Sequence, residues 1–467
     1  MNTVYADFIM SKKIQHKSAG IDVSREVLAS GLFDFQKDLV QWALKKGRAA
    51  LFTATGTGKS MMQSEWANQV AMHTGGNVLI LAPLAVSRQT VDEAAKIGVT
   101  INLCRKSDDV KPGVNITNYE MLHHFDHAVF DGVVLDESSI LKSFTGKYRQ
   151  LITESFEQTP FRLSASATPA PNDYMEFGTQ AEFLGVLSRS EMLSCFFIHD
   201  GGDTSKWRLK GHGKHKFWEW LASWAAVLEK PSDLGYENGA YDLPELRIHE
   251  EMILSDTPQE GCLFVAEARN LAEQRAARRQ TLADRVAKCA EIVNHSSGQF
   301  LVWCNMNDES SMLAKSIEGA VEVTGSDHND HKERSMLDFA AGKIRVLVSK
   351  PSICGMGMNF QSCSQMAFVG LSHSFEQYYQ AVRRCWRFGQ DRPVDVYIIT
   401  SDLEGAVKAN VLRKEQDAER MIGEMVGYTR DLMQREVRQT VREVSLYEPE
   451  KTMRIPAWLK EGTNYAS

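Results

Sequence analysis

No two of the eight cysteines (Cys104, Cys195, Cys262, Cys289, Cys304, Cys354, Cys363 and Cys385) form a CxxC pair, and several sit in apolar runs such as FLVWC (300–304). That is the usage of reduced, buried thiols, with zinc binding far behind it, and it predicts a cytoplasmic chain. No stretch approaches the roughly 18 apolar residues a membrane-spanning helix needs. The opening MNTVYADFIMSKKIQ lacks the apolar core of a secretory leader, so the expectation is a protein neither exported nor membrane-spanning. Low-complexity tracts are absent, as are nuclease and methyltransferase signatures. There is no excess of positive charge either: the net charge is −7, which argues against a surface coated in basic patches. Nucleic acid needs only a local positive stripe, however. SKWRLKGHGKHKFWEW (205–220) is a candidate, with Lys206, Arg208, Lys210, Lys214 and Lys216 among its residues; a solvated surface loop explains it equally well.

What is present is ordinary globular composition, 43% hydrophobic and 24% charged, over 467 residues. That length exceeds what one core usually serves, so two domains are expected. Short apolar runs alternate with helical patterns: AALFTA (49–54), NVLILA (77–82), GVVLDE (132–137) and FRLSAS (161–166). The rhythm returns in QFLVWC (299–304), AVEVTG (320–325), KIRVLVS (343–349), MAFVGL (366–371) and VDVYII (394–399). Such runs predict two parallel sheets, each buried on both faces by helices. Between them EKPSDLGYENGAYDLPEL (229–246) has turn chemistry, which puts one lobe at 1–246, with a basic and aromatic insertion near 190–228, and a second at 247–403. In 404–467, Val411, Ala418, Met421, Met425, Leu432, Val437, Val441 and Val444 recur at near-helical spacing. They predict a helical tail that packs back on the lobes and offers a surface for a protein partner.

The strand-like AALFTA leads into TGTGKS (55–60) and then a helical pattern. Gly56 and Gly58 let backbone N–H groups turn inward around phosphate oxygens, and the next helix presents its positive end. In that arrangement Thr55, Gly56, Thr57, Gly58 and Lys59 cradle the phosphates, Lys59 reaches the β- and γ-phosphates, and Ser60 ligates Mg²⁺. Thr53 stands where the usual pattern has its first glycine. The acidic partner is GVVLDESS: Asp136 for Mg²⁺, through water, and Glu137 to orient and deprotonate the attacking water. His123, His124 and His127 include an i, i+4 pair, but no acidic third ligand follows. Trp218, Trp220 and Trp224 are assigned to core packing before base stacking.

In their order, these segments resemble the superfamily-two helicases and translocases, closest to the Swi/Snf-like branch, over about residues 30–415. FDFQKDLVQWAL (33–44) is similar to the opening helix, in which Gln36 would contact the adenine edge. LILAPLAVSRQ (79–89) and ITNYEML (116–122) look like the strand-contacting segments of the first lobe, implying Pro83, Arg88 and Thr117. SASATPAPND (164–173) resembles the coupling motif, with Ser166 and Thr168 in its hydroxyl positions. VTGSDHNDHKERSMLDFAAGKIRVLVSK and CGMGMNFQSC look like second-lobe segments that bind the strand and sense the nucleotide, implying Gly325, Asn359 and Gly357. QAVRRCWRFGQ (380–390) matches the closing motif at Gln380, Arg384, Arg387, Gly389 and Gln390; Arg383 falls outside it.

The resemblance implies two tandem RecA-like lobes, ATP and Mg²⁺ as cofactors, and arginines that act on the phosphates when the lobes close. The implied activity is an ATPase that translocates on DNA, duplex favoured over single strands or RNA. An RNA helicase and an ATP-switched binding clamp with little turnover are the alternatives. The motif around Asp136 reads Asp-Glu-Ser-Ser, which puts in doubt the contact usual at its fourth position, Ser139. Pro351 and Ser352 replace a segment that often holds threonine, and 104–116 makes a short connection. The small size and motif style resemble a stripped-down motor of phage or mobile-element type, hence a host cytoplasm.

Overall fold

The computed structural model describes residues 18–83, 86–142, 146–171, 173–200, 203–254, 276, 278–354, 358–372, 374–402 and 405–437. Its strands are β1 (Arg48–Thr53), β2 (Asn77–Ala82), β3 (Ile101–Leu103), β4 (Gly113–Asn118), β5 (Phe130–Asp136), β6 (Phe161–Ser166), β7 (Phe197–Asp200), β8 (Asp203–Leu209), β9 (Ala225–Leu228), β10 (Leu246–Ile253), β11 (Phe300–Trp303), β12 (Ala320–Val323), β13 (Val346–Ser349), β14 (Gln365–Val369) and β15 (Val394–Ser401). The longer helices are α1 (Asp34–Lys46), α2 (Lys59–Thr74), α3 (Ser87–Lys96), α4 (Lys147–Ser155), α5 (Phe177–Leu184), α6 (Arg189–Phe196), α7 (Lys214–Ala222), α8 (Leu282–His295), α9 (Asn307–Ser316), α10 (Asn329–Ala340), α11 (Phe375–Val382) and α12 (Gly405–Val437).

Two parallel sheets result, one of seven strands in the order β3-β4-β2-β5-β6-β1-β9 and one of six in the order β10-β15-β14-β11-β13-β12. Both are buried on both faces, as continuous apolar runs require. In β1, Ala49 and Leu51 enter one core while Ala50 and Phe52 enter the other. In β11, Leu301 and Trp303 point away from Phe300 and Val302 in the same manner. This α/β fold is the pair of tandem RecA-like lobes that the ordered motifs imply. Sheet membership changes between β9, the edge of the first sheet, and β10, which pairs with β15 in the second.

Sequence periodicity alone misses β3, β4, β7, β8, β9 and β10. Part of 104–116, expected as a short connection, is the first four residues of β4. That strand carries Asn115, whose buried side chain ties down Lys111 and Gly113, so polar residues hide its strand pattern. The basic stretch divides between the antiparallel β7–β8 hairpin and α7. Lys210 caps the end of α6 by donating to Ser194 O (2.8 Å) and Cys195 O (3.0 Å), and Phe217, Trp218, Trp220 and Trp224 are all buried.

α12 leaves the second lobe after β15 and docks on the first. Met425 and Val426 join one of its cores, and Met433 and Val437 the other. The Tyr428 ring stacks on Trp218 at 5.9 Å, the Tyr174 hydroxyl donates to Glu424 at 2.9 Å, and Arg430 pairs with buried Asp233 at 3.0 Å. The expected tail positions Val441 and Val444 lie outside the described residues.

Trp220 is 1% exposed and packs against Phe196, Phe217 and Trp224. Trp220→Ala is expected to cost about 3–5 kcal/mol by leaving a cavity, read from urea denaturation; a loss near zero would contradict its place in the core.

Candidate active site between the lobes

Strand order assembles the first half of the site. β6 lies between β5 and β1, with Phe52 opposite Ser166 and Asp136 opposite Ala165. The carboxyl ends of three neighbouring strands therefore present the phosphate loop, Ser166 and the Asp136–Glu137 pair to one crevice, the usual ligand position in parallel sheets.

The loop bends through Gly56 (φ 93°) and Gly58 (φ 84°), left-handed conformations in which a side chain is strained. Gly58 precedes α2, whose 16 residues direct unpaired N–H groups and the positive end of the helix dipole at the loop. Thr57 braces the turn by donating to Ala54 O (2.8 Å) and accepting from Thr53 Oγ1 (2.7 Å). This places the unusual Thr53 as a support of the loop. The Lys59 ammonium folds back on Thr53 O (2.7 Å) and Ala54 O (3.1 Å). Burial pushes its pKa down to about 8, against the charges of Glu137 and Asp136 and with those of Arg387 and Arg384. Ser60 and Thr55 are half-exposed beside it. Gln36, 1% exposed, accepts from Phe33 N (2.9 Å) and donates to Thr57 O (2.8 Å), so its amide braces the loop.

Asp136 ends β5 with 8% exposure. Burial, with the neighbouring Glu137 charge, raises its carboxyl to about 6, while Gln63 and Lys59 oppose the rise. Gln63, fully buried on α2 one turn beyond Ser60, forms no complete hydrogen bond of its own among the described residues. Burial also raises Glu137, whose φ of 60° is the sole positive value among described non-glycine residues. Ser166 donates to Glu137 Oε1 at 2.5 Å and accepts from Thr168 N at 3.0 Å. Of the expected coupling residues, Ser166 thus contacts the expected base directly and Thr168 reaches it only through Ser166.

The second lobe supplies the opposite charge. Arg384, 5% exposed, donates to Gln380 O (2.9 Å) and Met358 O (3.1 Å), and burial drives its pKa down to about 9 against the pull of Glu137. Arg387 is held more loosely, by one 3.5 Å bond to Met358 O, and its Nε is unpartnered among the described residues. Arg383 packs by cation–π contact on Tyr379 and Trp386, away from this pair. The lobes meet here: a β-carbon on Gly56 would lie 3.0 Å from Phe388 N and 3.7 Å from Arg387 Cβ. Lys142 pairs with Glu376 across the same junction. Of the expected site residues, Gly357 lies outside the described ones.

The expected strand-contact residues are dispersed, and two are already engaged or covered. Arg88 pairs with Glu333 of the second lobe at 3.2 Å. Thr117 is 2% exposed, facing the interior. Pro83 and Asn359 are half-buried, Gly325 is exposed, and the Gly325 carbonyl accepts from Lys332 at 2.6 Å. Sequence reasoning missed Tyr119, whose hydroxyl donates to Asp136 O at 2.7 Å. It also missed the aromatic group of Phe33, Tyr241 and Phe388 at the lobe junction, with Tyr241 and Phe388 centroids 4.4 Å apart. Tyr119 lay within a segment already singled out; the aromatics come from three distant places and share no local pattern.

Residues 284–389 match the family model described as helicase conserved C-terminal domain. This bears out the helicase resemblance for the second lobe. No curated protein sequence matches the chain. Among solved structures, the Sulfolobus solfataricus SWI2/SNF2 ATPase core in complex with dsDNA is similar at 15% identity and a TM-score of 0.41, covering 89% of this chain and 99% of that one. A fragment of a putative HsdR subunit of a type I restriction enzyme from Vibrio vulnificus YJ016 is similar at 14% identity and a TM-score of 0.49; the match covers 80% of this chain and 64% of that one.

The raised Asp136 carboxyl has a stability consequence in the absence of metal and nucleotide. Its folded pKa of about 6 stands above the ordinary 3.8, so the folded state holds the proton more tightly and ionisation destabilises it. That cost is complete above pH 6 and vanishes below 3.8, where both states are protonated. Asp136→Asn is expected to gain up to about 3 kcal/mol at pH 7.5 in chelator, the gain shrinking toward pH 5 in denaturation curves. A gain independent of pH would contradict the assignment.

Proposed function

We propose that this protein, whose second lobe is a helicase C-terminal domain, is a Swi/Snf-like ATPase that uses ATP hydrolysis between its lobes to translocate on duplex DNA. One observation carries the reading: Gly56 of the phosphate loop packs directly against Arg387 and Phe388 of the other lobe, so phosphate-binding and arginine-bearing elements form a single cleft.

The residues fit ATP and Mg²⁺. The glycine turns leave a backbone cradle, the Lys59 ammonium occupies loop carbonyls that a phosphate would relieve, and Arg387 Nε and the Gln63 amide are unpartnered among the described residues. Thr55 to Lys59 would hold the phosphates, Gln36 would face the adenine edge, and Gly357 would contribute from the second lobe. Ser60 and Asp136 would hold Mg²⁺, which when bound supplies charge neutralisation on the β- and γ-phosphates. Glu137, its carboxylate oriented by Ser166, takes the proton of the attacking water. Arg387 places a planar guanidinium on the charge that develops on the transferred phosphoryl group, and Arg384 both supports the Met358 carbonyl and adds to the local positive field. Ser166 and Thr168, with Gln380 behind Arg384, link hydrolysis to movement of the lobes.

Pro83, Arg88, Thr117, Gly325 and Asn359 are proposed as nucleic-acid contacts. For Arg88, the pair with Glu333 marks a contact that must open; for Thr117, backbone movement must expose it. The domain limits we propose are 1–246, 247–403 and 404–467, with α12 offering its outer face to a protein partner.

Lys59→Ala is expected to abolish ATP turnover with the fold intact. Arg387→Ala is expected to bind nucleotide near normally and lose about 10³–10⁵ in rate. Turnover is measured with no nucleic acid, single-stranded DNA, duplex DNA and RNA side by side. The greatest stimulation is expected from duplex DNA. Equal rates in all four would overturn the motor reading, RNA preference would favour an RNA helicase, and tight nucleotide-dependent DNA binding without turnover would favour a clamp.

A further inference from the structure

Glu137 adopts a conformation that a side chain avoids, and such strain persists only where surrounding bonds hold it. Three such bonds are present. Ser166 grips the carboxylate at 2.5 Å, and Ile140 N donates to the Glu137 carbonyl at 3.3 Å. The third acts one atom upstream: the Tyr119 hydroxyl donates to Asp136 O at 2.7 Å. That oxygen belongs to the peptide plane that also contains Glu137 N, the plane about which the 60° φ of Glu137 is set. Holding the oxygen restrains that plane, which together with φ sets the direction in which the Glu137 side chain leaves the backbone.

Tyr119 is 4% exposed, so its ring cannot turn away without disturbing the core it shares with Leu79, Leu81 and Leu135. It follows Asn118, the last residue of β4, and opens a 3₁₀ turn, Tyr119–His124, whose cap is the Asn118 side chain accepting from Met121 N at 3.1 Å. Any displacement of Thr117 and Asn118 therefore acts on the first residue of that turn, whose far end is bonded to the peptide carrying the base.

We infer that Tyr119 is a positioning residue: its hydroxyl holds the Asp136–Glu137 peptide in its strained, water-activating orientation and carries nucleic-acid engagement at the end of β4 to the hydrolytic site. This rests on the DNA-stimulated ATPase reading above and adds a physical route for the stimulation.

The test is Tyr119→Phe in the intact chain, which keeps the buried ring and removes only the hydroxyl. ATPase kinetics with and without a duplex DNA oligomer are compared at a temperature where thermal melting shows both proteins folded. The expected result is a DNA-stimulated kcat lowered about five- to tenfold, the rate equivalent of one hydrogen bond, with KM for ATP and DNA affinity within about twofold. The ratio of stimulated to unstimulated rate is expected to fall as well. A purely structural role would move the melting temperature and leave that ratio alone. Wild-type kcat and ratio, or a raised KM with kcat unchanged, would overturn the inference; an equal fall in both rates would overturn the coupling. Absence of DNA stimulation in the wild-type protein would instead overturn the underlying function, so the two failures are told apart.

Discussion

The structure depends on bringing like and unlike charges into one poorly solvated cleft. Lys59, Asp136, Glu137, Arg384 and Arg387 each have a pKa moved by burial before any neighbour is considered. Desolvation disfavours every one of these charges, and mutual attraction recovers only part of the loss. In the proposed function, phosphate oxygens beside the lysine and arginines and a cation beside the aspartate would offset that loss.

Around that cleft, rigid and compliant parts are divided consistently. The sheets and their two-faced cores hold β1, β5 and β6 in fixed register, so the phosphate loop and acidic pair cannot drift within the first lobe. Contacts between the lobes are of another kind: one glycine against one backbone, the ion pairs Lys142–Glu376 and Arg88–Glu333, and an aromatic group. Exposed and half-exposed ion pairs of this sort contribute little each and break readily. The interface is therefore suited to opening and closing, while α12 keeps the second lobe tethered to the first through a docked helix.

The Glu137 backbone departs from local preference where the proposed site needs a fixed direction. A helix or strand conformation would relieve the strain, yet it would aim the carboxylate elsewhere. Tyr119, Ser166 and Ile140 hold it from three directions, and the first two come from segments expected to contact the nucleic acid or couple to it. Strain at this point makes the base sensitive to small changes at those partners.

Much of this was legible in the chain itself. Apolar runs of strand length were sufficient for two parallel lobes, and the TGTGKS loop, the acidic pair and, through the family resemblance, the ordered arginines pointed to five charged residues that the fold gathers in one cleft. Among three adjacent arginines, spacing also separated Arg383 from the other two, as its packing on Tyr379 and Trp386 agrees. Only tertiary structure decided the rest. The polar strand β4, the burial of Thr117, the capture of Arg88 by Glu333 and the return of α12 to the first lobe depend on partners up to 250 residues away or on which face of a sheet is covered. The difference between Arg384, tied to two carbonyls, and Arg387, held by one long bond, has the same origin. Local sequence sets which chemistry a side chain can offer; what it faces is set by the packing of elements that carry no mark of one another.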